Sequence, residues 1–279
     1  MTFCSIWIIT NFNSTISNPT FSSFNFGDFS KGIVGHSEEN DDEMILLKAD
    51  REGDKKDILI INWQAHPCKT GGGTKLDMSA DFPGATCDTV MAQTDMLCAY
   101  FSGACGNQNT SSRVPGESKS DPMDKVQMGE ALAKIALDAV PNLQPVEGEG
   151  IATTQVTFEY AYNHDDEHMI LEAQKGSEYW KTATNAEAAV YARSLGFSSQ
   201  YHANAVIART KRAKSGTMEL DAVRIGNFAF ITAPFEMFAS HGVYIKENSP
   251  FENTMVFECS NQYQSYIPTA AAYDYGCYE

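Results

Sequence analysis

Nowhere in the 279 residues do eighteen apolar side chains run unbroken, so the sequence offers no candidate transmembrane helix. Basic residues are scarce. The 20 Lys and Arg stand against 36 Asp and Glu, for a net charge of −16. This argues against nucleic acid and anionic membrane surfaces as partners, because binding phosphate needs a basic field. The 7 cysteines include no C-x-x-C pair, and an odd number spread over so long a chain does not read as a disulfide framework. Reduced, mostly buried thiols are expected. No Lys or Arg precedes the apolar stretch 3–9, and no small-residue cleavage site follows it, so it reads poorly as a signal peptide. There is no H-E-x-x-H, no phosphate-binding P-loop, no G-x-S-x-G elbow and no internal repeat. What is present is 43% hydrophobic residues, including 16 Phe, 12 Tyr and 3 Trp, enough for a large core and against wholesale disorder.

The order of patterns points to an α/β fold, a mixed β-sheet core in a layered sandwich flanked by helices. Residues 1–31 are expected as an irregular N-terminal arm, since 11–30 are rich in Ser, Asn, Thr and Phe without a period. Residues 43–49 (EMILLKA) and 57–63 (DILIINW) flank a charged turn and predict a hairpin. The second strand is nearly all apolar, as for burial on both faces, and runs into Gln64-Ala65-His66-Pro67. Residues 81–94 predict a helix and 96–101 a buried strand that ends in Ser102-Gly103-Ala104-Cys105-Gly106-Asn107-Gln108-Asn109. Asp121-Pro122 predicts the cap and first position of another helix. A strand over 151–162, a helical region from 165 to 196 interrupted near Gly176, and a second hairpin over 218–233 follow. Pro234-Phe235-Glu236 then leads into a helix to about Lys246, a strand over 254–258 and an aromatic tail.

Candidate functional residues lie beyond strand ends, where α/β proteins assemble their sites. Each has two readings. His66 is either a loop histidine or a ligand. Glu236, set among aromatic residues, is either a carboxylate at a helix N-terminus or the partner of a cation. Cys105 is expected as a buried structural thiol, the alternative being a nucleophile in a different class of hydrolase. His164 and His168 with Asp165, Asp166 and Glu167, and His36 beside two glutamates, read as solvated acidic loops or as metal clusters.

Taken together and in order, five segments resemble the catalytic domain of the neutral/alkaline ceramidase family. Asn62-Trp63-Gln64-Ala65-His66-Pro67 is similar to the family's strand ending in a metal-binding His-Pro. Ala80-Asp81-Phe82-Pro83-Gly84-Ala85 resembles its helix entry, and 101–109 its Gly-Ala-x-Gly-Asp-x-Ser/Asn-Pro turn. Residues 224–236 resemble the strand leading to a metal-binding Glu, and 261–269 with 276–279 the final stretch of the active site. The resemblance covers roughly 32–279, a domain that looks incomplete at both ends.

The resemblance implies a zinc-dependent hydrolase that cleaves the amide of an N-acylsphingosine, with a lipid or small-molecule amide as substrate and Zn2+ as cofactor. Carried over motif by motif, His66, Glu236 and Tyr266 would be metal ligands. Tyr278, twelve residues after Tyr266, would face the developing oxyanion, Asn109 would stand where the family has its active-site Ser, and Gly106 and Asn107 would lie against substrate. The family's other His ligand belongs to an upstream His-x-His segment, and no such segment precedes residue 32 here. A catalytically incomplete protein with a binding or vestigial role is the alternative.

Overall fold

The computed structural model describes residues 6–12, 41–70, 78–108, 124–161 and 165–275. In chain order these form β1 (Ile6–Phe12), β2 (Met44–Ala49), β3 (Ile58–Trp63), α1 (Asp81–Gln93), β4 (Leu97–Ser102) and α2 (Lys125–Ala139). A short 3-10 turn, β5 (Gln144–Pro145), β6 (Ile151–Ala161), α3 (Glu167–Trp180), α4 (Asn185–Ser194) and α5 (Gln200–Thr210) follow. The chain closes with β7 (Ser215–Ile225), β8 (Phe228–Thr232), β9 (Glu236–Met237), α6 (Ala239–Glu247), β10 (Asn253–Phe257), β11 (Tyr266–Ile267) and α7 (Ala270–Tyr275).

Two mixed sheets, ordered β4-β3-β2-β1-β5 and β10-β8-β7-β6, lie face to face, and a third pairs β11 with β9. The period of two along the strands explains the layering. Met44, Leu46, Leu59, Ile61 and Trp63 point to one side, where α1 and α2 cover them with Phe82, Val90, Met128 and Leu132. Ile45 and Leu47 point to the other side and meet Phe228, Met255 and Phe257 of the second sheet. The architecture is thus the expected α/β sandwich, with helices on one face of a two-sheet core. Asn62 is the polar exception. Its Nδ2 donates to Phe101 O (2.9 Å) and Val256 O (3.0 Å), tying β3 to the second sheet across the buried layer.

Several elements depart from the sequence reading. Residues 6–12, expected as part of an irregular arm, form a strand that pairs antiparallel with both β2 and β5. β4 sits at the edge of its sheet, so it is half exposed rather than buried, with Phe101 at 37%. The first turn of α2 is capped by Asp124, whose side chain accepts from Val126 N and Gln127 N while Gln127 bonds back to it. The expected cap, Asp121-Pro122, lies outside the described residues. α3 runs straight through Gly176, which is buried on the face turned to Leu195 and Ala203, where an added Cβ would make only ordinary contact at 3.5–3.6 Å. The break comes later, at Thr184, which caps α4 through a capping box with Glu187. The acidic residues near His168 are absorbed by structure. Asp166 caps α3, and Asp165 makes a bidentate pair with Arg209 at 2.9 Å that holds its carboxyl below the usual range.

Candidate metal centre

The site forms where β3, the 103–108 turn, β9 and β11 end together. His66 N donates to Gln108 O (2.9 Å), and Gly103 N to Trp63 O (3.1 Å), so the turn after β4 is laced onto the chain leaving β3. Gly106 N donates to Met237 O (2.6 Å), which brings β9 against the same turn. A Cβ at Gly106 would sit 2.6 Å from Glu236 O, so this approach requires glycine. Glu236 was read as sitting at a helix entry. It instead occupies a strand paired in parallel register with Tyr266, and the helix α6 begins only at Ala239. The loop joining β10 to β11 holds three non-glycine residues in left-handed backbone, Cys259 (φ 51°), Asn261 (φ 68°) and Ser265 (φ 71°). Strain of this kind persists only where surrounding packing enforces it.

His66, Glu236 and Tyr266 are brought together. His66 Nδ1 lies 3.6 Å from Glu236 Oε2, and the His66 and Tyr266 rings meet edge-on with centroids 6.1 Å apart. His66 Nε2 contacts Gly106 O at 3.2 Å. A carbonyl can only accept, so this contact places a proton on Nε2 and leaves Nδ1 facing Glu236. At 3.6 Å this pair is too far apart for a good hydrogen bond. Glu236 Oε1 accepts from Tyr263 Oη at 2.6 Å, and that bond to the carboxylate pushes the Tyr263 phenol up to about 12.

Beneath His66 lies a second, fully buried group. Cys105 Sγ is 3.7 Å from His66 Nδ1 and donates to Glu258 Oε1 at 2.6 Å, while Cys105 N donates to Glu258 Oε2 at 3.0 Å. Burial, opposed by these bonds and reinforced by the charge of Glu236, pushes Glu258 up to about 8. Burial and the adjacent Glu258 likewise push the Cys105 thiol well above its ordinary value, which disfavours a free thiolate nucleophile.

Gly106 and Asn107, expected against substrate, have positioning contacts here. Asn107 is buried, and its Oδ1 accepts from Ala239 N (2.8 Å) at the start of α6. Asn109 and Tyr278, the two expected catalytic residues, and His36 and His164 lie outside the described residues. Glu258 and Tyr263 escaped the sequence reading. The available signal for Glu258 was a carboxylate ending a strand otherwise buried along its whole length.

A sandwich with a His, two carboxylates and a thiol gathered past its strand ends has the donor chemistry of a divalent-cation site in an α/β fold. No protein-family model matches the sequence, and no curated protein sequence matches it. Solved structures do match. All of the chain superposes on half (50%) of a ceramidase solved in complex with C2, with a TM-score of 0.63 and 15% identity. Likewise 98% of it superposes on 48% of the neutral ceramidase from Pseudomonas aeruginosa, with a TM-score of 0.59 and 15% identity. The chain therefore has the ceramidase fold, and it spans about half the length of each of these proteins.

Proposed function

We propose that the chain is a metal-dependent amide hydrolase of neutral-ceramidase type, holding zinc at His66, Glu236 and Tyr266 and acting on an N-acyl lipid amide. One observation carries the reading: on a ceramidase fold, His66 Nδ1 and Glu236 Oε2 face each other at 3.6 Å, too far apart for a good hydrogen bond. Two ligands of one tetrahedral zinc stand about 3.4 Å apart at bond lengths near 2.0–2.1 Å, so the gap fits the ion. The donor types fit as well, since imidazole and carboxylate are zinc's ordinary nitrogen and oxygen ligands.

Bound there, zinc would supply Lewis-acid polarisation of a carbonyl and a water of lowered pKa. The chain's own residues do the rest. Gly106 O fixes the His66 tautomer, and Tyr263 fixes one oxygen of Glu236 so that the other points at the gap. The resemblance gives Tyr278 the oxyanion of the amide and aligns Asn109 with the family's active-site Ser. The substrate class, the metal and these two roles all rest on that family likeness. Zinc content of the purified protein, paired with fatty-acid release from an N-acylsphingosine, tests the proposal. Stoichiometric zinc with hydrolysis that is lost in His66→Ala supports it, and a metal-free protein with no hydrolysis after zinc addition overturns it.

A binding or vestigial role is the second reading. It is favoured by the single imidazole at the cluster among the described residues, where His202 and His241 contact Ser198 and Pro268 instead. Zinc that is weak and readily stripped by a mild chelator, with little turnover, is its signature.

A further inference from the structure

The geometry points to Cys105 as a ligand of the metal held at His66, in a thiolate-containing donor set of His66, Cys105 and Glu258. This inference rests on the reading that a metal binds at His66, and it replaces Glu236 and Tyr266 in the donor set, because the ion then sits on the buried side of His66. One ligand atom from each of the three residues lies within 4.8 Å of the other two. The His66–Cys105 separation suits two ligands of one ion. At Zn–S near 2.3 Å and Zn–N near 2.0–2.1 Å, atoms 3.7 Å apart subtend about 115° at the metal, close to tetrahedral. The same imidazole nitrogen, His66 Nδ1, therefore lies as well placed for Cys105 as for Glu236.

The 2.6 Å contact between Cys105 Sγ and Glu258 Oε1 is a thiol donating to a carboxylate, and it is too short for two ligands of one ion. Tetrahedral ligation needs about 3.6 Å between such atoms, so the pair must part by roughly 1 Å once the proton leaves. The balance is simple. The S–H bond breaks, a sulfur–metal bond forms, and the thiol proton is released to solvent. Nothing is oxidised or reduced. Glu258 Oε2 remains tied to Cys105 N at 3.0 Å, so the freed Oε1 stays beside the ion. A structural role for this cysteine would call for an apolar surround. Cys105 instead has an imidazole nitrogen and a buried carboxylate at contact distance.

The test is the absorption spectrum of the full chain titrated with Co2+, which reports thiolate ligation without reference to activity. The expected result is cobalt ligand-field bands together with a near-ultraviolet thiolate-to-cobalt charge-transfer band. That band is expected to survive Cys259→Ser and to disappear in Cys105→Ser. Glu258→Gln removes a ligand and is expected to weaken cobalt binding by more than the roughly 10- to 100-fold that loss of a supporting group costs. Ligand-field bands without charge transfer in the wild-type chain would overturn the inference while leaving the metal reading intact. No cobalt bands of either kind would overturn both. A charge-transfer band that persists in Cys105→Ser would assign the thiolate to another cysteine and refute the proposal.

Discussion

Replacing Gly106 by alanine tests whether one close backbone approach sets the geometry of the site. The new Cβ would stand 2.6 Å from Glu236 O, 2.8 Å from Met237 C and 2.9 Å from Glu236 C. All three are backbone atoms, so no side chain can swing aside. Restoring ordinary contact requires β9 and the 103–108 turn to separate by roughly 0.5–0.8 Å, an overpacking strain of about 1–3 kcal/mol. The separation also stretches the Gly106 N–Met237 O hydrogen bond, for about 1 kcal/mol more. Together these give a loss of about 2–4 kcal/mol, a fall in Tm of roughly 3–7 °C for a chain of 279 residues. Glu236 moves with β9 while Gly106 O still holds His66 Nε2, so the gap between the two donors widens. Differential scanning calorimetry reads the first effect and zinc titration the second. A Gly106→Ala protein with wild-type Tm and wild-type zinc affinity would refute the reasoning.

Asn62→Ala removes two donors from buried carbonyls and leaves Phe101 O and Val256 O without them, so chemical denaturation should show a loss of about 2–4 kcal/mol. Asp124→Ala removes the α2 capping box and should cost about 1 kcal/mol, measured the same way. Asp81 accepts from Phe82 N and Thr70 N, and with Thr70 Oγ1 these bonds outweigh burial and hold its carboxyl below the usual range. Its folded pKa lies below the unfolded one, so its contribution is present above about pH 4 and is lost as pH falls through the folded value. Asp81→Asn should flatten that acid limb of the stability curve. Glu258 has the opposite sign. Its folded value of about 8 exceeds the unfolded one, so metal-free protein should lose stability as pH rises from about 4.5 to 8, by on the order of 1–4 kcal/mol, and Glu258→Gln should abolish the slope.

Much of the sheet core was legible because its strands alternate or run apolar between turn residues. Both hairpins, β2–β3 and β7–β8, fall where those patterns place them. The residues that resemble the ceramidase motifs also pointed to His66, Glu236 and Tyr266, which the structure brings together across 200 residues of chain. Neither result required knowing the sheet order. What stayed hidden depends on tertiary placement. Gly176 looked like a helix stop because a glycine lowers helix propensity, yet it serves a helix-to-helix contact with Ala203. β4 carries the same apolar pattern whether central or at an edge, so its exposure could not be read from composition. Glu236 in a two-residue strand has no period to detect, and the pairing with Tyr266 that defines the strand comes from thirty residues later. The Cys105–Glu258 contact spans 153 positions and has no local signature at either end.

The central claim is that His66 anchors a divalent metal on this fold. Zinc bound per chain, measured after reconstitution and dialysis of wild-type protein and His66→Ala side by side, tests it most directly. The account predicts one tightly held zinc ion in the wild-type chain and its loss in His66→Ala, with both proteins folded by circular dichroism. A wild-type chain that retains no zinc, or a His66→Ala chain that retains all of it, would contradict the account.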